Sequence, residues 1–385
     1  MRIGIDARFY GSLGKGLGRY TAKLIQYLEE QDAENEYVIF LSAENFDEFQ
    51  PKNTRFQKVL CKIRWYSLAE QCLFPFLLLR FRLDLMHFPH FNVPLLYYRP
   101  FVVTIHDLIL FHYPTLRGTT RSPLLYWIKF AAYRVVIASA IRRSRQVIAV
   151  SLFTAEDIRK HYRDASTKIS LIYEAAEPFC FWAPEEKRDQ IFRTINMISS
   201  ESKEGARDII KPYILYVGNA YPHKNLELFL ETAALFPEYE FLLVGKMDYF
   251  YTRLKSEANR RGISNVHFIG FVDDSDLGML YRNAKVYAFP SLYEGFGLPP
   301  LEASLYGVPV LAAACGSLPE ILGTSARFFD PEEKGSFSIA LRDLLEKREE
   351  RERLIEAGYQ NSTRFNWNQM AQETKSLYER CGAKQ

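Results

Sequence analysis

Short apolar runs of three to six residues recur along this chain and alternate with longer segments of helical period. In the first half the runs are Ile3–Asp6, Tyr37–Ser42, Leu85–Phe88, Phe101–His106, Gln146–Val150 and Ile169–Ile172. The stretches Arg19–Glu30, Tyr66–Phe81, Leu124–Ser144 and Thr154–Tyr162 fit helices between them, with Thr154-Ala155-Glu156-Asp157 as a capping signal. Strands alternating with helices predict an α/β domain. From about residue 179 to 211 the pattern dissolves into polar residues, which reads as a connection between domains plus a mobile loop. A second α/β half opens at Tyr213. Its strands are Tyr213–Val217, Glu240–Val244, His267–Phe271, Val286–Phe289, Val310–Ala314 and Arg327–Phe329, and charged helices follow to the end.

Composition bounds this picture. A chain of 385 residues, 48% hydrophobic and 25% charged, is ordinary for two globular domains. The amino terminus runs straight into Arg2-Ile3-Gly4-Ile5, which does not read as a signal peptide. The most apolar stretches, Leu73–Leu79 and Leu124–Ile141, are too short to cross a bilayer or are broken by Lys129 and Arg134. Five scattered cysteines (61, 72, 180, 315 and 381) form no C-x-x-C pair, so reduced thiols and a cytoplasmic location are expected. The net charge of +3 hides an asymmetry: residues 51–150 hold fifteen Lys and Arg against three Asp and Glu. Such an excess marks an anionic partner, whether nucleic acid, a diphosphate or a membrane surface.

The candidate chemistry centres on Tyr293-Glu294-Gly295-Phe296-Gly297-Leu298-Pro299-Pro300-Leu301-Glu302. Two carboxylates stand eight residues apart across a glycine loop that opens a helix, with Pro299 suited to the first turn. Glycines and a helix start favour an anion, and carboxylates accept from hydroxyls, so the loop suits a sugar attached to a phosphate. A plain strand–loop–helix joint with one solvated and one capping Glu fits the spacing equally well. In α/β sheets ligands bind at the carboxyl ends of strands, where Gly16, Gly18, His106, Lys224 and Glu294 all fall. Lys224, before the cap residue Asn225 and an apolar helix, is a cation at a helix start, a placement that calls for an anion. His106, followed by Asp107, reads either as a core histidine or as a group that orients a sugar hydroxyl. His87 and His90 read as loop structure on the acceptor side. The glycines at 11, 14, 16 and 18 miss the third position of a dinucleotide fingerprint, which Arg19 occupies. Asp273-Asp274-Ser275-Asp276 reads as a helix start rather than a metal motif.

The segment around Glu294 and Glu302 resembles the E-x7-E signature of the retaining glycosyltransferases of family 4. Other pieces match in order: Ile3–Arg8 with Gly16–Tyr20, His87–Pro89, Val103–Leu108, Tyr213–Gly218 with His223–Asn225, Phe268–Val272, Gly316–Glu320 and Phe365–Trp367. The resemblance implies a GT-B fold: two Rossmann-like, doubly wound parallel-sheet domains facing an interdomain cleft. It places an acceptor-side domain at 1–178, a linker at 179–211 and a nucleotide-sugar domain at 212–367, with a terminal helix, 368–385, packing back on the first. It implies a hexosyltransferase in which His106, Lys224 and Glu294 are catalytic. Donor contacts would come from Gly16, Gly218, Asn219, Lys224, Phe271, Val272, Gly295, Phe296, Gly297, Leu298 and Glu302. No metal or other cofactor is expected, the nucleoside diphosphate sugar being a co-substrate. The family often carries an Arg beside the Lys; Asn219 and His223 stand in those places here, leaving His223 or Arg8 as candidates to meet phosphate. The Gly-Arg-Tyr and Thr-Ile-His-Asp segments resemble mannosyltransferases of O-antigen type, which implies GDP-mannose. The basic region, with Arg142, Arg143 and Arg145, is expected to serve a glycan or lipid-linked acceptor on an anionic membrane, not nucleic acid. The rival readings are another GT-B enzyme such as an epimerase, a nucleic-acid-binding protein, and an NAD-dependent enzyme.

Overall fold

The computed structural model describes residues 1–11, 15–114, 123–178 and 211–382. Residues 179–210 of the expected linker at 179–211, with Cys180 among them, and Gly14 lie outside the described residues. Two compact units result, Met1–Ala175 with Phe365–Gln385, and Ala176–Arg364.

The first unit is built on a parallel sheet of seven strands: β1 Arg2–Asp6, β2 Glu36–Leu41, β3 Phe56–Leu60, β4 Leu85–Phe88, β5 Phe101–Ile105, β6 Gln146–Ala149 and β7 Ile169–Leu171. Their order is β3-β2-β1-β4-β5-β6-β7. Ile3 pairs with both Tyr37 and Leu85, so the winding direction reverses at β1, the switch point of a doubly wound sheet. Continuous apolar sequence in the central strands follows from burial on both faces. Right-handed crossovers put helices 68–79, 123–143 and 152–161 on one face. There Phe74, Leu78, Ile137 and Ile158 share a core with Phe40, Met86 and Val103. On the other face lie helix 15–31 and the terminal helix 367–382; Tyr378 meets His87 Nδ1 at 2.5 Å and the Gln31 amide donates to the Asn368 carbonyl.

Strand β3 breaks the sequence expectation. It is an edge strand with one fully buried residue, Phe56, and its Lys58 ammonium donates to the Phe46 and Phe49 carbonyls. Half-exposure leaves no apolar run to read. Helix 152–161 also starts differently: Ser151, not Thr154, is its cap, accepting from the Thr154 amide at 3.0 Å.

The second unit carries six parallel strands: β8 Tyr213–Val217, β9 Glu240–Val244, β10 Val266–Gly270, β11 Val286–Phe289, β12 Val310–Ala313 and β13 Ala326–Phe329, in the order β10-β9-β8-β11-β12-β13. Strand β10 ends one residue early because its register against β9 shifts between Phe268 and Gly270. The core is aromatic, with Tyr216, Phe229, Phe241 and Phe289 all buried. Asp273 is the cap residue of helix 274–283 in extended conformation, and Asp274 and Asp276 sit in its first turn, where acids complement the dipole. Among the described residues no helix is long and apolar enough to cross a membrane.

Candidate active site

The groups that could hold a donor gather at the carboxyl ends of β8 and β11 in the second unit. After β8 the chain makes one short turn, Pro222–Lys224, before helix 226–233. Asn225 occupies the cap position in the left-handed region at φ 55°, a conformation Asn tolerates, and makes no side-chain cap bond, contrary to its expected role. After β11 comes the glycine loop, and the His223 carbonyl accepts the Leu292 amide at 2.7 Å, tying the two loops together. Lys224 Nζ then donates to Glu294 Oε1 at 2.5 Å, with both side chains 12% exposed, and sits 5.4 Å over the Phe289 ring.

A second loop, after β12, braces the first. Gly316 lies at φ 60°, and a Cβ there would stand 2.9 Å from both the amide nitrogen and the carbonyl oxygen of Glu294. The Ser317 amide donates to the Glu294 carbonyl and its hydroxyl to the Phe296 carbonyl. Gly297, at φ 98°, caps helix 298–305. Pro299 and Pro300 have no N–H, so the unbonded amides of that helix start are concentrated in Gly297 and Leu298. Glu302, nearly buried one turn in, accepts the Tyr281 hydroxyl at 3.1 Å. Ser291 is fully buried, and its hydroxyl has no hydrogen-bond partner among the described residues. Burial pushes the Cys315 thiol up to about 12, so it donates to the Ser291 carbonyl as a neutral group.

Other expected donor groups fare unevenly. Phe271 is 73% exposed just past β10, with Val272 half-buried beside it. Gly295 and Phe296 are buried in the loop. The Gly218 amide is occupied by the Val244 carbonyl, so it is not available as a phosphate donor. The Asn219 carbonyl accepts the Tyr216 hydroxyl. Burial beside Lys224 lowers His223 to about 3, leaving it neutral at physiological pH and unable to replace the missing Arg charge.

Arg8 cannot replace it either. It is 0% exposed, forms a two-pronged bridge to Asp6 at 2.8 and 2.6 Å, meets Glu70 at 2.5 Å, and lies 4.0 Å over Phe74. Glu70 in turn accepts from Asn92 and from the Tyr66 backbone amide. That amide bond holds Tyr66 at φ 56°, an uncommon conformation for an aromatic residue. Tyr66 bonds His90 through its hydroxyl, and Phe9 stacks on Trp65 at 4.7 Å, forming an aromatic group past the ends of β1, β3 and β4 in the first unit. His90 belongs to it. His87 does not: it is fully buried in β4, neutral because burial lowers it to about 3, and lines nothing.

His106 ends β5 with both ring nitrogens engaged, Nδ1 on Glu174 at 2.6 Å and Nε2 on the Pro89 carbonyl at 2.8 Å. Its acid partner is therefore Glu174; Asp107 instead accepts the Ile109 amide. Burial opposes the charge, but Glu174, the Pro89 carbonyl and Asp107 outweigh it and raise the imidazole above its usual range. A raised folded pKa stabilises fully below the unfolded value of about 6.5 and loses that contribution as pH rises through the folded value. The stability gap between wild type and His106→Asn, from denaturant titrations, should hold steady below pH of about 6 and shrink toward alkaline pH. A gap independent of pH would mean a neutral ring.

Of the basic-region arginines, Arg143 donates to the Leu95 and Tyr97 carbonyls, and Arg145 to the Cys381 carbonyl. Arg143 is half-buried and anchors the fold instead of facing outward as expected, whereas Arg145 stays exposed with part of its guanidinium tied to that carbonyl. Arg142 is exposed and paired with Asp164. Gly16, exposed near the start of helix 15–31, has nothing within 4 Å of its Cβ position.

Two family models match the sequence: Glycosyltransferase Family 4 over residues 14–177, and Glycosyl transferases group 1 over residues 198–361. Together they span most of the chain, which is a glycosyltransferase with a family 4 half followed by a group 1 half. This glycosyltransferase is 25% identical over 350 residues to the O-antigen chain mannosyltransferase RfbU of Salmonella typhimurium, covering 87% of this chain and 88% of that one. Over 175 residues it is 33% identical to the O-antigen chain mannosyltransferase B of Escherichia coli, covering 43% and 45% respectively. Among solved structures, sucrose-phosphate synthase from Thermosynechococcus elongatus superposes with a TM-score of 0.77 at 19% identity, over 99% of this chain and 98% of that one. The glycosyltransferase WaaG gives 0.71 at 14% identity, over 98% and 99%. The fold is GT-B.

Proposed function

We propose that this glycosyltransferase moves mannose from GDP-mannose, with retention of configuration, to a hydroxyl of a glycan or lipid-linked glycan. The observation that carries the reading is the Lys224–Glu294 pair beside the Gly297–Leu298 amides. A cation, two amides at a helix start and a carboxylate converge on one loop, matching a diphosphate joined to a sugar. Lys224 and those amides meet the phosphates, Glu294 accepts sugar hydroxyls, and Glu302 takes the ribose. Preorganised stabilisation of the leaving diphosphate is the main catalytic lever, and no metal is required. The leaving phosphate then helps deprotonate the acceptor on the same face. His106 offers no free ring nitrogen, since Glu174 and the Pro89 carbonyl engage both. Support for mannose comes from relatives named as O-antigen mannosyltransferases. A panel of GDP and UDP sugars tests it: GDP-mannose should be consumed and an α-linked product seen by NMR, while turnover of UDP sugars alone would overturn the donor assignment.

The acceptor side favours an anionic membrane. On helices 68–79 and 123–143, which share a face of the first sheet, Leu68, Phe76, Trp127 and Ile128 are at least half exposed, Phe76 at 65%. Arg80, Arg82, Lys129 and Arg134 stand exposed around them. Each cation near such a surface contributes about 1 kcal/mol, so a handful gives reversible, salt-sensitive attachment. Wild type should pellet with anionic vesicles at low salt and release at high salt. A Phe76→Ser, Arg80→Ser, Lys129→Ser variant should bind at least about 30-fold more weakly. If wild type stays in the supernatant at low salt, the acceptor is a soluble glycan.

A further inference from the structure

A second cluster lies in the first unit, apart from the groups assigned to the donor. The segment after His106 runs along helix 152–161 and touches three of its turns. Thr154 Oγ1 donates to the His106 carbonyl, His112 Nε2 meets Asp157 Oδ2 at 2.7 Å, and Phe111 packs on His161 with ring centroids 5.0 Å apart. Asp157 and His161 are one turn apart on the same helix face, and His161 Nδ1 lies 3.2 Å from Asp157 Oδ1. The three ligand atoms all lie within 4.8 Å of one another.

We propose that His112, Asp157 and His161 form a three-ligand site for a borderline divalent cation of the zinc class, which clasps the segment after His106 to helix 152–161. Two imidazoles and a carboxylate are the donor set such ions take, usually with one open position. With bonds of about 2.0–2.1 Å, donors around a tetrahedral ion stand about 3.3 Å apart, close to the 2.7 and 3.2 Å of the two pairs here. The carboxylate presents one oxygen to each ring. Access is open on the imidazole side, since His112 and His161 keep 31% and 27% of their side-chain surface while Asp157 keeps 6%. The helix ends at His161, so its negative dipole end faces the cation. Arg159 and Lys160 in the same last turn oppose it, and His112 Nε2 and His161 Nδ1 must give up their bonds to Asp157, each proton passing by way of solvent to the ring's other nitrogen so that both bind as neutral imidazoles. The clasp is structural: its ligands are distinct from Lys224, Glu294 and His106, and it takes no part in sugar transfer.

The test uses the full-length chain, without a histidine tag and stripped with a chelator. Zinc chloride should then raise the melting temperature by about 5 °C at a hundredfold excess over Kd. Cobalt should give the visible ligand-field band of a four-coordinate site, at one ion per chain. His112→Gln and His161→Gln, checked by circular dichroism, should each weaken binding by at least tenfold. A variant that fails to fold is replaced by Asp157→Asn, which keeps the volume and loses the charge. Absence of a zinc-induced shift in wild type overturns the proposal. So does undiminished binding in the variants, which would place the ion elsewhere. In either case the cluster is a hydrogen-bonded knot only.

Discussion

Glu294→Gln is expected to lower kcat/KM for sugar transfer by about a hundredfold or more, with the melting temperature changed by only a few degrees. Gln keeps the volume of the side chain and one oxygen toward Lys224, so the loop braced by Gly316 and Ser317 stays in place. What it loses is the negative charge that accepts sugar hydroxyls. Lys224→Ala is the reciprocal change. It removes a cation that is 12% exposed, and should weaken binding of the free nucleoside diphosphate by about 1–3 kcal/mol in calorimetry. The two variants separate two roles. Glu294→Gln should leave diphosphate affinity equal or tighter, because Lys224 is released from its carboxylate. Wild-type turnover in Glu294→Gln, or unchanged diphosphate affinity in Lys224→Ala, would remove these residues from the donor site.

Arg8→Met should destabilise the first unit by about 3–5 kcal/mol, the usual loss when one partner of a buried ion network is removed. The change strands two carboxylates: Asp6 and Glu70 are both buried, and Arg8 compensates both. Met restores most of the volume over Phe74, so cavity formation is a minor part of the loss. A denaturant titration that follows the first unit reads the effect. At a temperature where the variant remains folded, its affinity for the nucleoside diphosphate should equal that of wild type. A selective loss of diphosphate affinity would instead make Arg8 a phosphate ligand, against its complete burial. The same network holds Tyr66 in the left-handed region, so loss of Arg8 should also loosen the aromatic group of Phe9, Trp65, Tyr66 and His90.

Much of this protein follows from short-range pattern. Apolar runs locate twelve of the strands, β3 being the exception because Gln57 and Lys58 break its run. The glycine loop before Pro299 marks its own helix start, since proline and glycine constrain the backbone locally whatever surrounds them. Partner choice is another matter. Lys224 and Glu294 are 70 positions apart, and His106 and Glu174 are 68 apart. Nothing in the sequence near Asp107 warns that the acid facing His106 comes from elsewhere. Arg8 looks like a free cation at a strand end until the fold closes Glu70 and Phe74 over it. Arg143 looks like surface charge until the Leu95 and Tyr97 carbonyls accept from it. Period and turn chemistry act over a few residues and are written into the chain. Which charges are paired, buried or left facing solvent depends on strand order and loop contacts, and only the tertiary structure decides that.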